Sequence, residues 1–95
     1  RVFTEQELDY CRGRIESLAA RWAAKEAVAK ALGCGIGQVT WREIEVVNDD
    51  QRRPTVQLHG AAAELATQLG IHQFTVSLSH AKDYAVAFVV GEVNN

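Results

Sequence analysis

Arg14-Ile15-Glu16-Ser17-Leu18-Ala19-Ala20-Arg21-Trp22-Ala23-Ala24-Lys25-Glu26-Ala27-Val28-Ala29-Lys30-Ala31-Leu32-Gly33 is the stretch on which the fold turns. It holds no Gly or Pro before Gly33 and is rich in alanine, the residue that costs a helix least. Gly33 then offers the left-handed backbone that commonly ends a helix. A helix over Arg14 to Leu32 is predicted. At 3.6 residues per turn, Ile15, Leu18, Ala19, Trp22 and Ala29 form one stripe, the predicted buried face. Glu26 falls in the middle of that stripe. A carboxylate there is costly unless it is paired, protonated or bound to a metal. Lys30 follows four residues on, in the favourable acid-before-base order. Lys25 and Arg21, also four apart, flank the stripe. Two readings follow: a solvated Glu/Lys face worth a few tenths of a kcal/mol, or a phosphate site with a metal-binding carboxylate and cations to neutralise oxygens.

Upstream, Thr4-Glu5-Gln6-Glu7 has the form of a capping box and predicts a short helix over Thr4 to Cys11, interrupted by Arg12-Gly13. Downstream, Thr40 to Val47 is β-branched and aromatic, so a strand is predicted. Asn48 to Arg53 is a turn, and Pro54 opens a second strand over Thr55 to Leu58, making a hairpin. Gly60 to Leu69 is a second Ala-rich helix stopped by Gly70. Phe74 to Ser79 alternates as a strand. His80 to Asp83 is a turn. Tyr84 to Val90 is nearly all apolar, which predicts a central strand covered on both faces. The order α-α-β-β-α-β-β, with helices packed on antiparallel hairpins, is an α+β fold: an antiparallel sheet against a long helix and shorter helices.

Composition narrows the classes. The 95 residues fit one domain with a small core. At 47% apolar the chain is not of disordered type. Ten Lys and Arg against twelve Asp and Glu give a net charge of −2, which argues against nucleic acid. No apolar run approaches the ~20 residues of a membrane span. Cys11 and Cys34 lack CxxC spacing, so a reducing, cytoplasmic setting is expected. The chain contains no Met and opens on Arg1, so a piece of a longer polypeptide is expected.

Other chemistry-bearing residues are sparser. Gly33-Cys34-Gly35-Ile36-Gly37 would let backbone N–H groups approach an anion. It matches neither the phosphate-binding G-x-x-x-x-G-K-[ST] loop nor, lacking a preceding strand, a dinucleotide fingerprint; a plain helix-to-strand connection is an equal reading. His80 ends a strand beside Ser77 and Ser79, too close in sequence to be assumed a triad. His59 and His72 read as loop residues, and Arg52-Arg53 as a solvated cationic turn. The His, Cys and carboxylate positions show no zinc spacing.

Together these segments resemble the holo-[acyl-carrier-protein] synthase family of 4′-phosphopantetheinyl transferases. Arg21 to Gly33 is similar to its signature helix, an aromatic residue, two small residues, Lys-Glu-Ala, then Lys three residues after the Ala. Phe3-Thr4-Glu5-Gln6-Glu7-Leu8 resembles its F-T-x-x-E-L segment. Trp41 to Val46 resembles its post-helix strand. Ser77-Leu78-Ser79-His80, then Asp83 to Ala87, resembles its S-x-S-H hairpin. The resemblance implies transfer of the 4′-phosphopantetheine arm of coenzyme A to a serine of an apo acyl carrier protein, with release of adenosine 3′,5′-bisphosphate and a need for Mg²⁺. It implies Glu26 as metal ligand and Lys30 at the pyrophosphate. It implies Arg21 and Lys25 as contacts to coenzyme A phosphates, Gly33, Cys34 and Gly35 in the loop at the nucleotide, and His80 at a nucleotide phosphate. A homotrimer with active sites between subunits is also implied.

The chain departs from the pattern in places. The family's opening G-x-G-x-D strand, whose Asp is a second metal ligand, and its first helix are not present in the 95 residues. Cys34 stands where Thr is common, and Ala81 follows the His. A non-catalytic module that keeps the fold and binds coenzyme A or oligomerises is therefore the alternative expectation.

Overall fold

A computed structural model describes residues 2–33, 39–81 and 83–93. Helix α1 spans Glu5–Cys11 and α2 spans Ile15–Leu32. A 3-10 turn over Trp41–Glu43 leads into β1, Ile44–Asn48, which pairs with β2, Pro54–Leu58. Helix α3, Gly60–Leu69, precedes β3, Ile71–His80, and β4, Ala85–Val93. Both strand pairs are antiparallel, with Val46 opposite Val56 in one and Val76 opposite Val89 in the other. The result is the expected α+β class, built from two two-stranded ladders.

The helix starts and stops follow local chemistry. The Thr4 hydroxyl accepts from the Glu7 N–H, and the Glu7 carboxylate accepts from the Thr4 N–H at 2.8 Å. Thr4 also donates its hydroxyl proton to Glu45 of β1, so the cap ties α1 to the sheet. Thr4→Val is expected to cost about 1 kcal/mol or somewhat more in urea denaturation, from the lost cap and the lost bond to Glu45. Gly33 ends α2 at φ 71°, and its N–H donates to the carbonyls of Ala29 and Lys30. Thr40 and Glu43 form a second capping box, which starts the 3-10 turn. The predicted strand from Thr40 is therefore corrected to begin at Ile44: the T-x-x-E spacing outweighs the β propensity of the first residues.

The core lies where α2 and α3 meet the hairpins. Val28, Ala29 and Leu32 of α2 pack with Ile44, Ala62, Ala66 and Phe74. Ala24 packs with Val46 and Val76. Small residues one turn apart (Ala20, Ala24, Val28) let α2 lie close on the strands. This places α2 differently from the expected stripe. Ile15 is 77% exposed, and Ile15, Leu18, Ala19 and Trp22 line an open groove with Val2 and Phe3. Glu26 is exposed, and its neighbours Arg21 and Lys25 are buried instead. Side-chain size does not mark the buried face of α2: the strands take Ala20, Ala24 and Val28 in close contact and the long side chains of Arg21 and Lys25 beside them.

Strand β4 brings a second correction. It is not covered on both faces. Its residues alternate, with Ala87 and Val89 packed inward and Val86, Phe88 and Val90 exposed, Phe88 to 73%. Gly91 is tight: a Cβ there would stand 3.1 Å from the Phe74 ring.

Candidate functional site

Glu26 and Lys30 stand one turn apart on the exposed side of α2. Neither side chain makes a hydrogen bond or ion pair to another described residue. The chain thus presents a carboxylate and an ammonium side by side, both open to ligands. Among the described residues no group of three or more His, Cys, Asp and Glu side chains is placed to hold a metal. A single open carboxylate is compatible with Mg²⁺ but does not select it. That cation keeps several waters and is held by one or two carboxylates plus substrate phosphates, not by a protein cage.

The face behind Glu26 is built from buried charge. Lys25 is fully buried and ion-pairs with Glu7 at 2.9 Å, also fully buried. The same ammonium donates to the Trp41 carbonyl at 2.8 Å and to the Ile44 carbonyl. Its three donors are filled. The second Glu7 oxygen accepts from the Val46 N–H at 2.7 Å. Burial pushes the Lys25 ammonium below its usual range, and Glu7 pulls it back. The expectation that Lys25 meets a donor phosphate does not fit this placement: a phosphate would have to displace three partners already inside the fold. The signal missed was Glu7, which the sequence offered only as a capping residue, 18 positions from its partner.

Arg21 is also buried, at 4% exposure. Its guanidinium lies 4.5 Å from the centre of the Tyr10 ring and donates to the Asn48 side chain. Its Nε is buried with no hydrogen-bond partner. An unmade bond of this kind costs roughly 1–3 kcal/mol. Tyr10 and Asn48 line a groove of about 210 Å³ on the outer side. Neither contact was visible in the sequence, because both depend on how α1 and β1 meet α2.

His80 is exposed at the last position of β3, opposite Ala85. His59, read as a loop residue, instead meets Glu45 at 3.0 Å. Burial raises the Glu45 carboxyl and hydrogen bonds from Thr4 and His59 lower it, leaving it below its usual range. Gly33 is described as the α2 cap; Cys34 and Gly35 lie outside the described residues.

Comparison with known proteins converges on one family. The model of the 4′-phosphopantetheinyl transferase superfamily matches residues 1–89. The chain is 59% identical to a holo-[acyl-carrier-protein] synthase of Herpetosiphon aurantiacus, covering 96% of this chain and 77% of that one. It is 50% identical to the synthase of Moorella thermoacetica, covering 97% and 74%. Among solved structures, it is similar to the Helicobacter pylori holo-[acyl-carrier-protein] synthase in complex with coenzyme A. That match has a TM-score of 0.84 and 29% identity over 97% of this chain and 78% of the other.

Proposed function

This chain belongs to the 4′-phosphopantetheinyl transferase superfamily, among the holo-[acyl-carrier-protein] synthases, and from that premise we propose that it transfers the 4′-phosphopantetheine arm of coenzyme A to a serine of an apo acyl carrier protein. The observation that carries the reading is the open Glu26–Lys30 pair on the helix that bears the family's Lys-Glu-Ala-x-x-Lys pattern.

In this reaction the serine oxygen bonds to the phosphorus that carries pantetheine, and the bridging P–O bond breaks. Adenosine 3′,5′-bisphosphate leaves with the bridging oxygen, and the serine proton passes to solvent. Little covalent chemistry is asked of the protein, so positioning and charge neutralisation dominate. Glu26 would hold Mg²⁺, which when bound neutralises pyrophosphate charge. Lys30 sits beside it to steady the leaving phosphate or give it a proton. His80, at the open end of β3, is offered to a nucleotide phosphate; Arg21 would meet one only by giving up its contacts with Asn48 and Tyr10. The family pattern assigns Gly33, Cys34 and Gly35 to contact with the nucleotide. Lys25 serves from within rather than by touching substrate.

The test is transfer of a labelled pantetheine arm from coenzyme A to an apo carrier protein with Mg²⁺, reading both holo product and released nucleotide. Binding of coenzyme A without turnover would overturn the reading in favour of a non-catalytic module.

The assembly we propose is a homotrimer in the cytoplasm. The bare apolar face of β4 supports a subunit contact, since monomers rarely leave Val86, Phe88 and Val90 open together. Phe88→Glu is expected to shift sedimentation from trimer to monomer at equal concentration. A wild-type chain that sediments as a monomer would remove the trimer from the proposal.

A further inference from the structure

We infer that the buried Glu7–Lys25 pair is a positioning device for the transfer site, holding the strand side of the α2-to-β1 connection at a fixed distance from the helix that carries Glu26 and Lys30. The inference rests on the proposed transferase reading.

The geometry supports a role beyond filling space. Lys25 precedes Glu26 directly, so it shares the rigid backbone of the residue it would position. Its ammonium reaches two carbonyls on the far side of the connection: Trp41, at the start of the 3-10 turn, and Ile44, at the start of β1. Glu7 takes the remaining donor and spends its other oxygen on the Val46 N–H. Two side chains thereby stitch α1, α2, the 3-10 turn and β1 together. The near end of the connection is fixed separately, by the Gly33 cap on α2. On the outer side Trp22 and Trp41 meet edge to face, with ring centres 4.7 Å apart, so Trp41 is held from two directions.

The arrangement serves the fold, bonding the Trp41 and Ile44 carbonyls and the Thr4 and Val46 N–H groups, but stability does not by itself require that charge do so. A buried ion pair can often be replaced by apolar residues of similar volume at no cost in stability. What apolar residues cannot do is choose two particular carbonyls and one particular N–H. The pair thus sets register, a property that matters most where reacting groups must be placed within a fraction of an ångström.

The experiment compares wild type, the double variant Glu7→Leu/Lys25→Met, the single variant Glu7→Gln and Glu26→Ala. Readouts are thermal unfolding, the exciton signal of the Trp22–Trp41 pair in circular dichroism, coenzyme A affinity in EDTA, and kcat and KM for transfer. The double variant is expected to stay folded, to lose or change the tryptophan signal, to bind coenzyme A within about threefold of wild type, and to lose roughly ten- to a hundredfold in kcat, the range typical of supporting groups. If the double variant does not fold, Glu7→Gln decides: its kcat per folded molecule is expected to fall at least about threefold with the tryptophan signal altered, as one designed hydrogen bond is lost. A folded double variant with wild-type kcat and tryptophan signal overturns the inference, as does a Glu7→Gln enzyme with unchanged kcat per folded molecule. Failure of wild type itself to transfer would instead overturn the transferase reading, and full activity in Glu26→Ala would overturn only the metal-ligand role of Glu26.

Discussion

Glu26→Ala is expected to lower kcat for pantetheine transfer by at least about a hundredfold, the loss typical of deleting a preorganised electrostatic group. The expectation follows from exposure as much as from family pattern. The Glu26 side chain makes no hydrogen bond or ion pair to another described residue, so its removal leaves no orphaned partner inside the fold. Thermal stability should therefore stay within about 0.5 kcal/mol of wild type, as for surface substitutions away from special features. Loss of turnover with unchanged stability separates a ligand role from a structural one. Glu26→Gln sharpens the result, since it keeps the shape and removes the charge. If both variants turned over at the wild-type rate, Glu26 would not be the metal ligand.

The largest effect on stability is expected one residue earlier. Lys25→Ala leaves the Glu7 carboxylate with no counter-charge at zero exposure, and it strips the Trp41 and Ile44 carbonyls of a donor. Breaking a buried pair from one side costs about 3–5 kcal/mol. That is a large share of the roughly 5–15 kcal/mol available to a domain of this kind. Chemical denaturation at neutral pH should show an unfolding free energy lowered by that amount or a chain that does not fold. A cost below about 1 kcal/mol, the range of exposed pairs, would mean that the ion pair is not buried as described. Two adjacent residues of the same helix thus differ in what fails first: turnover at Glu26, and the fold that positions it at Lys25.

These two residues also mark what could be read from the sequence. The helix boundaries could, because their causes are local: Thr4 with Glu7, Gly33 after α2, and Gly60 to Leu69 with Gly70 beyond. Strand pairing was legible from the turn residues between β1 and β2 and between β3 and β4. The direction in which α2 faces was not. Its large apolar residues Ile15, Leu18 and Trp22 drew the wheel one way, while the hairpins select the alanines and bring Arg21 and Lys25 inside. Nothing local records that choice, since the partner of Lys25 lies on α1 and those of Arg21 on α1 and β1. Glu26 was singled out for being buried and is open instead; the chemistry proposed for it needs the open position. The second capping box at Thr40 and Glu43 was readable, but β-branched composition masked it.

The two strand pairs carry a further consequence. The ladder of β1 and β2 and that of β3 and β4 are separate among the described residues, although β2 and β3 lie alongside each other. Their cohesion is carried by side chains such as Val56, Val76 and Phe74 and by α2 lying across both. Among the described residues the seam between the two ladders therefore has no main-chain rivets. Along it, cohesion depends on how well a few apolar residues fit, so a cavity made at one of them weakens the joint between the ladders while leaving each ladder's own main-chain bonds in place.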